Sequence, residues 1–128
     1  MKHTLLAWCL AALGLNANAQ NIDFVTPKDG DTVTSPFMLK FAVKGMEVSP
    51  AGEIKPGTGH HHVLIDTDAV PENQVIAMDA QHKHFGKGQT ETELTLPPGE
   101  HVLSLQFADG AHRSYGEAYR KTIRVTVK

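Results

Sequence analysis

The 128-residue sequence is poor in the residues that staple or anchor small proteins. It has one cysteine, one tryptophan and two tyrosines, and aromatic side chains make up 6% of it. A single cysteine excludes a multi-disulfide scaffold and any zinc site built on two or more thiolates. Basic charge is not in excess: 12 Lys and Arg face 14 Asp and Glu. This argues against a nucleic-acid binder, which carries a basic field. No apolar run approaches the roughly 20 residues that span a bilayer, no internal repeat is visible, and no tract is of low complexity.

Several catalytic signatures are missing too. Gly86-Lys87-Gly88-Gln89 lacks the spaced glycine and the Ser/Thr of a phosphate loop. No His-Glu-x-x-His motif is present, and no serine sits in a nucleophile elbow. These absences favour a protein that is not an enzyme.

Residues 1–19 read as a cleaved secretory signal, and residues 20–128 as one domain. Met1 and Lys2 precede an apolar stretch from Leu5 to Leu15, and Ala17-Asn18-Ala19 gives the small-x-small cleavage pattern. Cleavage would remove Cys9 and Trp8 and place a thiol-free chain in the periplasm, an oxidising compartment where an unpaired cysteine is a liability.

From residue 20 onward the sequence shows short alternating runs between Gly, Pro and Asp turns. Phe37, Leu39, Phe41 and Val43 alternate with Met38, Lys40 and Ala42; Leu103, Leu105 and Phe107 share one face, as do Ile123, Val125 and Val127. Residues 45–59 and 67–81 read as long connections. About seven short strands with frequent turns predict an all-β, antiparallel immunoglobulin-like β-sandwich, with a small barrel as the alternative.

What the sequence has in abundance is histidine, eight residues in all. Five fall in two segments, Gly59-His60-His61-His62-Val63 and Gln81-His82-Lys83-His84-Phe85. On an extended chain, residues two apart point the same way, so His60 with His62, and His82 with His84, form two chelating pairs. Neutral imidazole suits copper, zinc and nickel, whereas calcium and magnesium prefer oxygen. The candidate metal ligands are therefore His60, His62, His82 and His84, with His61 beside them, and the ion is copper or zinc. His61 shares parity with Val63 and Ile65 and is the member expected to face the core. Asp66, Asp68 and Asp79 are placed to orient an imidazole or simply to end strands. Met46 and Met78 read as gap fillers rather than ligands. His101 and His112, beside turns, read as surface or capping residues. Such a site should lose its metal as pH falls through about 6.5, where imidazole protonates.

The strings GTGHHHVLID, HKHFGKGQTE and LPPGEHVLSLQFADGAH, with PKDGDTVTSPFMLKFAVKGMEVSPAGE before them, resemble a bacterial family of small exported domains of unknown function, family 4399. The resemblance runs from about Phe24 to Val127, includes all five clustered histidines, and implies a compact β-sandwich without implying an activity.

Three functions follow as expectations. The first is a periplasmic module that buffers or delivers copper or zinc. The second is an immunoglobulin-like domain that docks on another envelope protein or binds an anion beside Lys83 and Lys87, its histidines holding loops. The third is a cupin-like metalloenzyme using His60, His62 and Asp66, with His101 later.

Overall fold

Nine strands run along residues 20–128, the part of the chain described by this computed structural model; the expected leader at 1–19 lies outside it. They are β1 (Ile22–Thr26), β2 (Thr32–Val33), β3 (Phe37–Val43), β4 (Glu47–Val48), β5 (Thr58–Ile65), β6 (His82–His84), β7 (Glu91–Leu94), β8 (Gly99–Ala108) and β9 (Arg120–Val127). Among the described residues the only helical element is a 3-10 turn at Glu117–Tyr119.

One sheet has the order β1-β3-β7 and the other β2-β9-β8-β5-β4, with β6 added on β5. The longer strands thus fall in the A-B-E and G-F-C order of an immunoglobulin-like sandwich. Its pairings are antiparallel except for two-residue β2 and β4, which lie parallel to β9 and β5. The expected strand at 37–43 is β3. Strand β4 forms inside the stretch read as a loop at 45–59, where two residues are too few to show a period.

Alternation fixes the register. Phe37, Leu39 and Phe41 of β3 are buried while Met38, Lys40 and Ala42 are exposed. A slip by one residue would turn three large apolar side chains outward, at roughly 1.5–3 kcal/mol each. They meet Val63, Ile65, Leu103, Leu105, Phe107, Ile123 and Val125 between the sheets.

Strand β5 departs from simple alternation, because seven of its eight residues are buried. Its inner face looks into the sandwich. Its outer face is covered by residues 67–81 and the β8–β9 connection, where Leu64, Ile76 and Ala108 form a second apolar cluster with Val70. The backbone of these two connections is joined: Ile76 N donates to His112 O at 2.8 Å, and Ser114 N to Gln74 O at 2.9 Å. The outer face of β5 is therefore an enclosed surface, and the first histidine pair lies on it.

Candidate metal centre

Strand β5 sorts the three consecutive histidines by parity. His61 turns inward, with its ring 4.7 Å from that of Phe41 and 5.0 Å from that of Phe107. His60 and His62 turn outward with Leu64, and none of the three histidines has exposed surface. Gly59 permits this start to the strand: a Cβ there would stand 2.2 Å from Ala108 O and 2.8 Å from the Phe107 ring.

Three nitrogens converge on the outer face. His62 Nε2 is 3.1 Å from His60 Nε2, which is 3.0 Å from His112 Nδ1. All three histidines present ligand atoms within 4.8 Å of one another. Two nitrogens bound at about 2.0–2.1 Å to one ion lie roughly 2.9 Å apart at a right angle and about 3.4 Å apart at the tetrahedral angle, so the spacing suits a shared cation. Without one, the arrangement is frustrated. His60 Nε2 has a single proton or a single lone pair to offer two neighbouring nitrogens.

His112 reaches the cluster from 50 residues away in sequence, at the tip of the β8–β9 connection. Its backbone is left-handed, φ 67°, a conformation that histidine adopts more readily than most side chains. Asp109 builds the turn: Oδ1 accepts the Ala111 and Arg113 amides at 2.8 and 2.9 Å, and Oδ2 accepts Arg113 Nε at 3.0 Å. Burial pulls the Asp109 carboxyl upward, but these bonds outweigh it and hold the group below its ordinary range.

A strap of residues 49–53 ties the histidine-bearing segments together. Ser49 N donates to Gly59 O (2.8 Å), Ala51 N to Gly86 O (2.8 Å) and Gly52 N to Gly110 O (2.9 Å). Each acceptor lies within two residues of His60, His84 or His112. The contact with the His112 turn leaves no room for a side chain, since a Cβ at Gly110 would stand 2.0 Å from Glu53 O.

Burial keeps the cluster uncharged. Desolvation, aided by the neighbouring His112 and His84, lowers the His60 pKa to about 4, although Asp109 pulls the other way. Desolvation and four surrounding histidines lower His62 to about 2. His112 is lowered as well, by burial first and by His84 second. These imidazoles are ready to bind a cation at pH 7, and for His60 and His62 proton competition is displaced well below the value of about 6.5 expected for ordinary histidine.

The second His-x-His segment divides. In β6, His84 pairs with His62 and His82 with Leu64. The His84 ring stands at the exposed rim, 5.2 Å from His112, 6.0 Å from His62 and 6.3 Å from His60. His82 is two register positions further on and is engaged elsewhere, with Nδ1 2.7 Å from Asp79 Oδ1. Three members of the expected ligand set therefore lie outside the cluster of His60, His62 and His112: His61, because strand parity sends it into the core, His82, because Asp79 holds its ring, and His84, which stands at the exposed rim. His112 takes a place in the cluster that its turn position did not suggest. The Asp109-Gly110 turn, followed by a residue tolerant of left-handed backbone, was the available signal.

The remaining candidates have local roles. His101 Nδ1 donates to Asp66 Oδ2 at 2.6 Å and Nε2 to Pro97 O at 2.8 Å. Asp66 Oδ1 accepts Val102 N at 2.7 Å. These bonds raise the His101 pKa, Asp66 contributing most. Asp66 leaves β5 at the end opposite His60, so the cupin-like grouping of His60, His62 and Asp66 does not form. Met46 packs against the main core and Met78 is exposed.

Fold and site together define an immunoglobulin-like sandwich carrying a buried histidine cluster on the outer face of one sheet. The chain belongs to the family described as Domain of unknown function (DUF4399), which matches residues 39–128. No curated protein matches the sequence. Among solved structures, a fibronectin(III)-like module of Clostridium thermocellum CbhA is similar, with TM-score 0.47 and 14% identity, covering 84% of this chain and 96% of that one.

Proposed function

We propose that this protein is an exported metal-binding module that holds one copper or zinc ion at His60, His62 and His112, without catalysis, for buffering or delivery. The observation that carries the reading is the convergence of three ring nitrogens from two distant segments, at 3.0 and 3.1 Å, in an uncharged enclosure. Three neutral donors leave the ion its full charge and an open coordination position, which suits a borderline cation and not calcium or magnesium. Periplasmic residence rests on the leader-like residues 1–19; no helix among the described residues is long and apolar enough to cross a membrane.

The test is a calorimetric titration of chelator-treated protein with copper(II) and with zinc. One equivalent should bind in the micromolar range or tighter, and His60→Ala, His62→Ala and His112→Ala should each cost at least tenfold. Binding that survives all three changes, or no binding by the unaltered protein, refutes the reading.

A second reading has support in the fold: an immunoglobulin-like interaction domain of the envelope, with the histidines holding loops. The A-B-E and G-F-C strand order favours it. It requires that melting temperature be indifferent to added metal, whereas a metal-binding module must gain stability from its ligand.

A further inference from the structure

We propose that His84 is the exchange ligand of this site: an exposed imidazole on the edge strand that takes the ion from solvent, passes it to His60, His62 and His112, and draws it out again. The proposal rests on the metal-binding reading above and deepens it, since a site with such a ligand transfers its cargo rather than storing it.

The four rings form a graded path. His60 and His62 are fully enclosed, His112 is half-buried and His84 is exposed. His84 is directly opposite His62 in the β5–β6 register. Its ring centroid lies 5.2–6.3 Å from the other three, which are themselves 4.7–5.5 Å apart. His84 is not among the histidines whose ligand atoms all lie within 4.8 Å of one another, yet it is close enough for side-chain rotation to bridge the gap. Rotamer changes of exposed side chains take picoseconds to nanoseconds, so they do not limit metal exchange.

Local structure leaves this ring free to move. Among the described residues no hydrogen bond holds it, whereas His82 on the same strand is fixed to Asp79 at 2.7 Å. The ring lies over the backbone of Gly86, where a Cβ would stand 3.0 Å from its Cδ2 and 3.3 Å from its Nε2. Strand β6 is three residues long and pairs only with β5, so His84 stands at a sheet edge that an incoming metal carrier can reach.

The inner ligands are also built for release. His60 Nδ1 and His62 Nδ1 are buried without a hydrogen-bond partner. Metal-binding histidines generally donate the second ring N–H to an acceptor that raises ligand basicity, and losing that acceptor weakens affinity about 10–100-fold. An enclosed site with unsupported ligands and one free imidazole at its mouth favours turnover of the ion over tenacity.

The experiment loads the full-length protein with cobalt(II) and follows the optical bands of the bound ion during loading, and during removal by excess EDTA, in a stopped-flow instrument. His84→Ala should keep one-to-one binding with affinity within tenfold of the unaltered protein, while loading and release both slow at least tenfold. His84→Gln should behave alike, and His82→Ala should leave both rates unchanged. Unchanged rates in His84→Ala overturn the exchange role. Faster release with affinity more than tenfold weaker makes His84 a static fourth ligand and overturns it equally. If the unaltered protein takes up no cobalt(II), zinc or copper(II), the metal reading falls and the exchange role with it.

Discussion

Gly52 N donates to Gly110 O at 2.9 Å, joining the strap at 49–53 to the turn that presents His112. The joint is close-fitting, because a Cβ at Gly110 would stand 2.0 Å from Glu53 O and 2.7 Å from its carbonyl carbon. Gly110→Ala must therefore lift the strap or displace the turn. Overpacking of this kind costs about 1–3 kcal/mol. Urea denaturation should show a loss of that size, and a zinc titration should show weakened binding although no ligand has changed. Loss of stability with affinity intact would mean that the strap does not position His112.

His61 gives a prediction of opposite sign. Both ring nitrogens are buried without a partner between Phe41 and Phe107. An unsatisfied buried polar group costs about 1–3 kcal/mol. His61→Leu, similar in volume and apolar, should raise the unfolding free energy by about 1 kcal/mol and leave metal affinity unchanged. A fall in affinity would return His61 to the site.

Stability should fall on the acid side. His60 and His61 have pKa values lowered from 6.5 to about 4, and His62 to about 2, in each case chiefly by burial. Between pH 6.5 and 4 the unfolded chain binds protons that the folded one refuses, so stability is full above 6.5 and is lost as pH falls through this window. The slope is about 1.4 kcal/mol per pH unit for each such group. Metal affinity should resist acid for the same reason. Three ordinary imidazoles would lose roughly a thousandfold between neutral pH and pH 5.5, whereas this cluster should lose less than tenfold. Zinc titrations at pH 7 and 5.5 check the difference.

The Asp66–His101 pair acts in the reverse sense. His101 donates from both ring nitrogens, so its charged form is favoured and its pKa is raised. Its contribution to stability is fully present below the unfolded value of about 6.5 and is lost as pH rises through the raised folded value. NMR titration should place the His101 midpoint above that of an ordinary histidine, and Asp66→Asn should return it toward 6.5. A midpoint indifferent to that change would remove Asp66 as the cause.

Much of this was legible in the sequence because period-two patterns carry direction. The alternation from Phe37 to Val43 set the inward face of β3, and the parity of His61 with Val63 and Ile65 separated it from His60 and His62. Parity alone could not distinguish His82 from His84, which share a face. Two register positions and the carboxylate of Asp79 decide that, and both depend on how the β6 edge meets β5. His112 was illegible for a different reason. It lies on a turn, where no period operates, and long-range backbone hydrogen bonds, from the β8–β9 connection to residues 73–76 and to the strap at Gly52, bring it over β5. The strap read as a Gly- and Pro-rich loop for the same reason, since backbone hydrogen bonds to Gly59, Gly86 and Gly110 leave no mark on residue type.

The central claim is that His60, His62 and His112 share one ion. The most direct measurement is anomalous X-ray scattering at the zinc edge from crystals grown with one equivalent of zinc. A single strong peak is expected about 2.0–2.1 Å from His60 Nε2, His62 Nε2 and His112 Nδ1. A peak at His82 and Asp79 instead, or none at the cluster under saturating zinc, would contradict it.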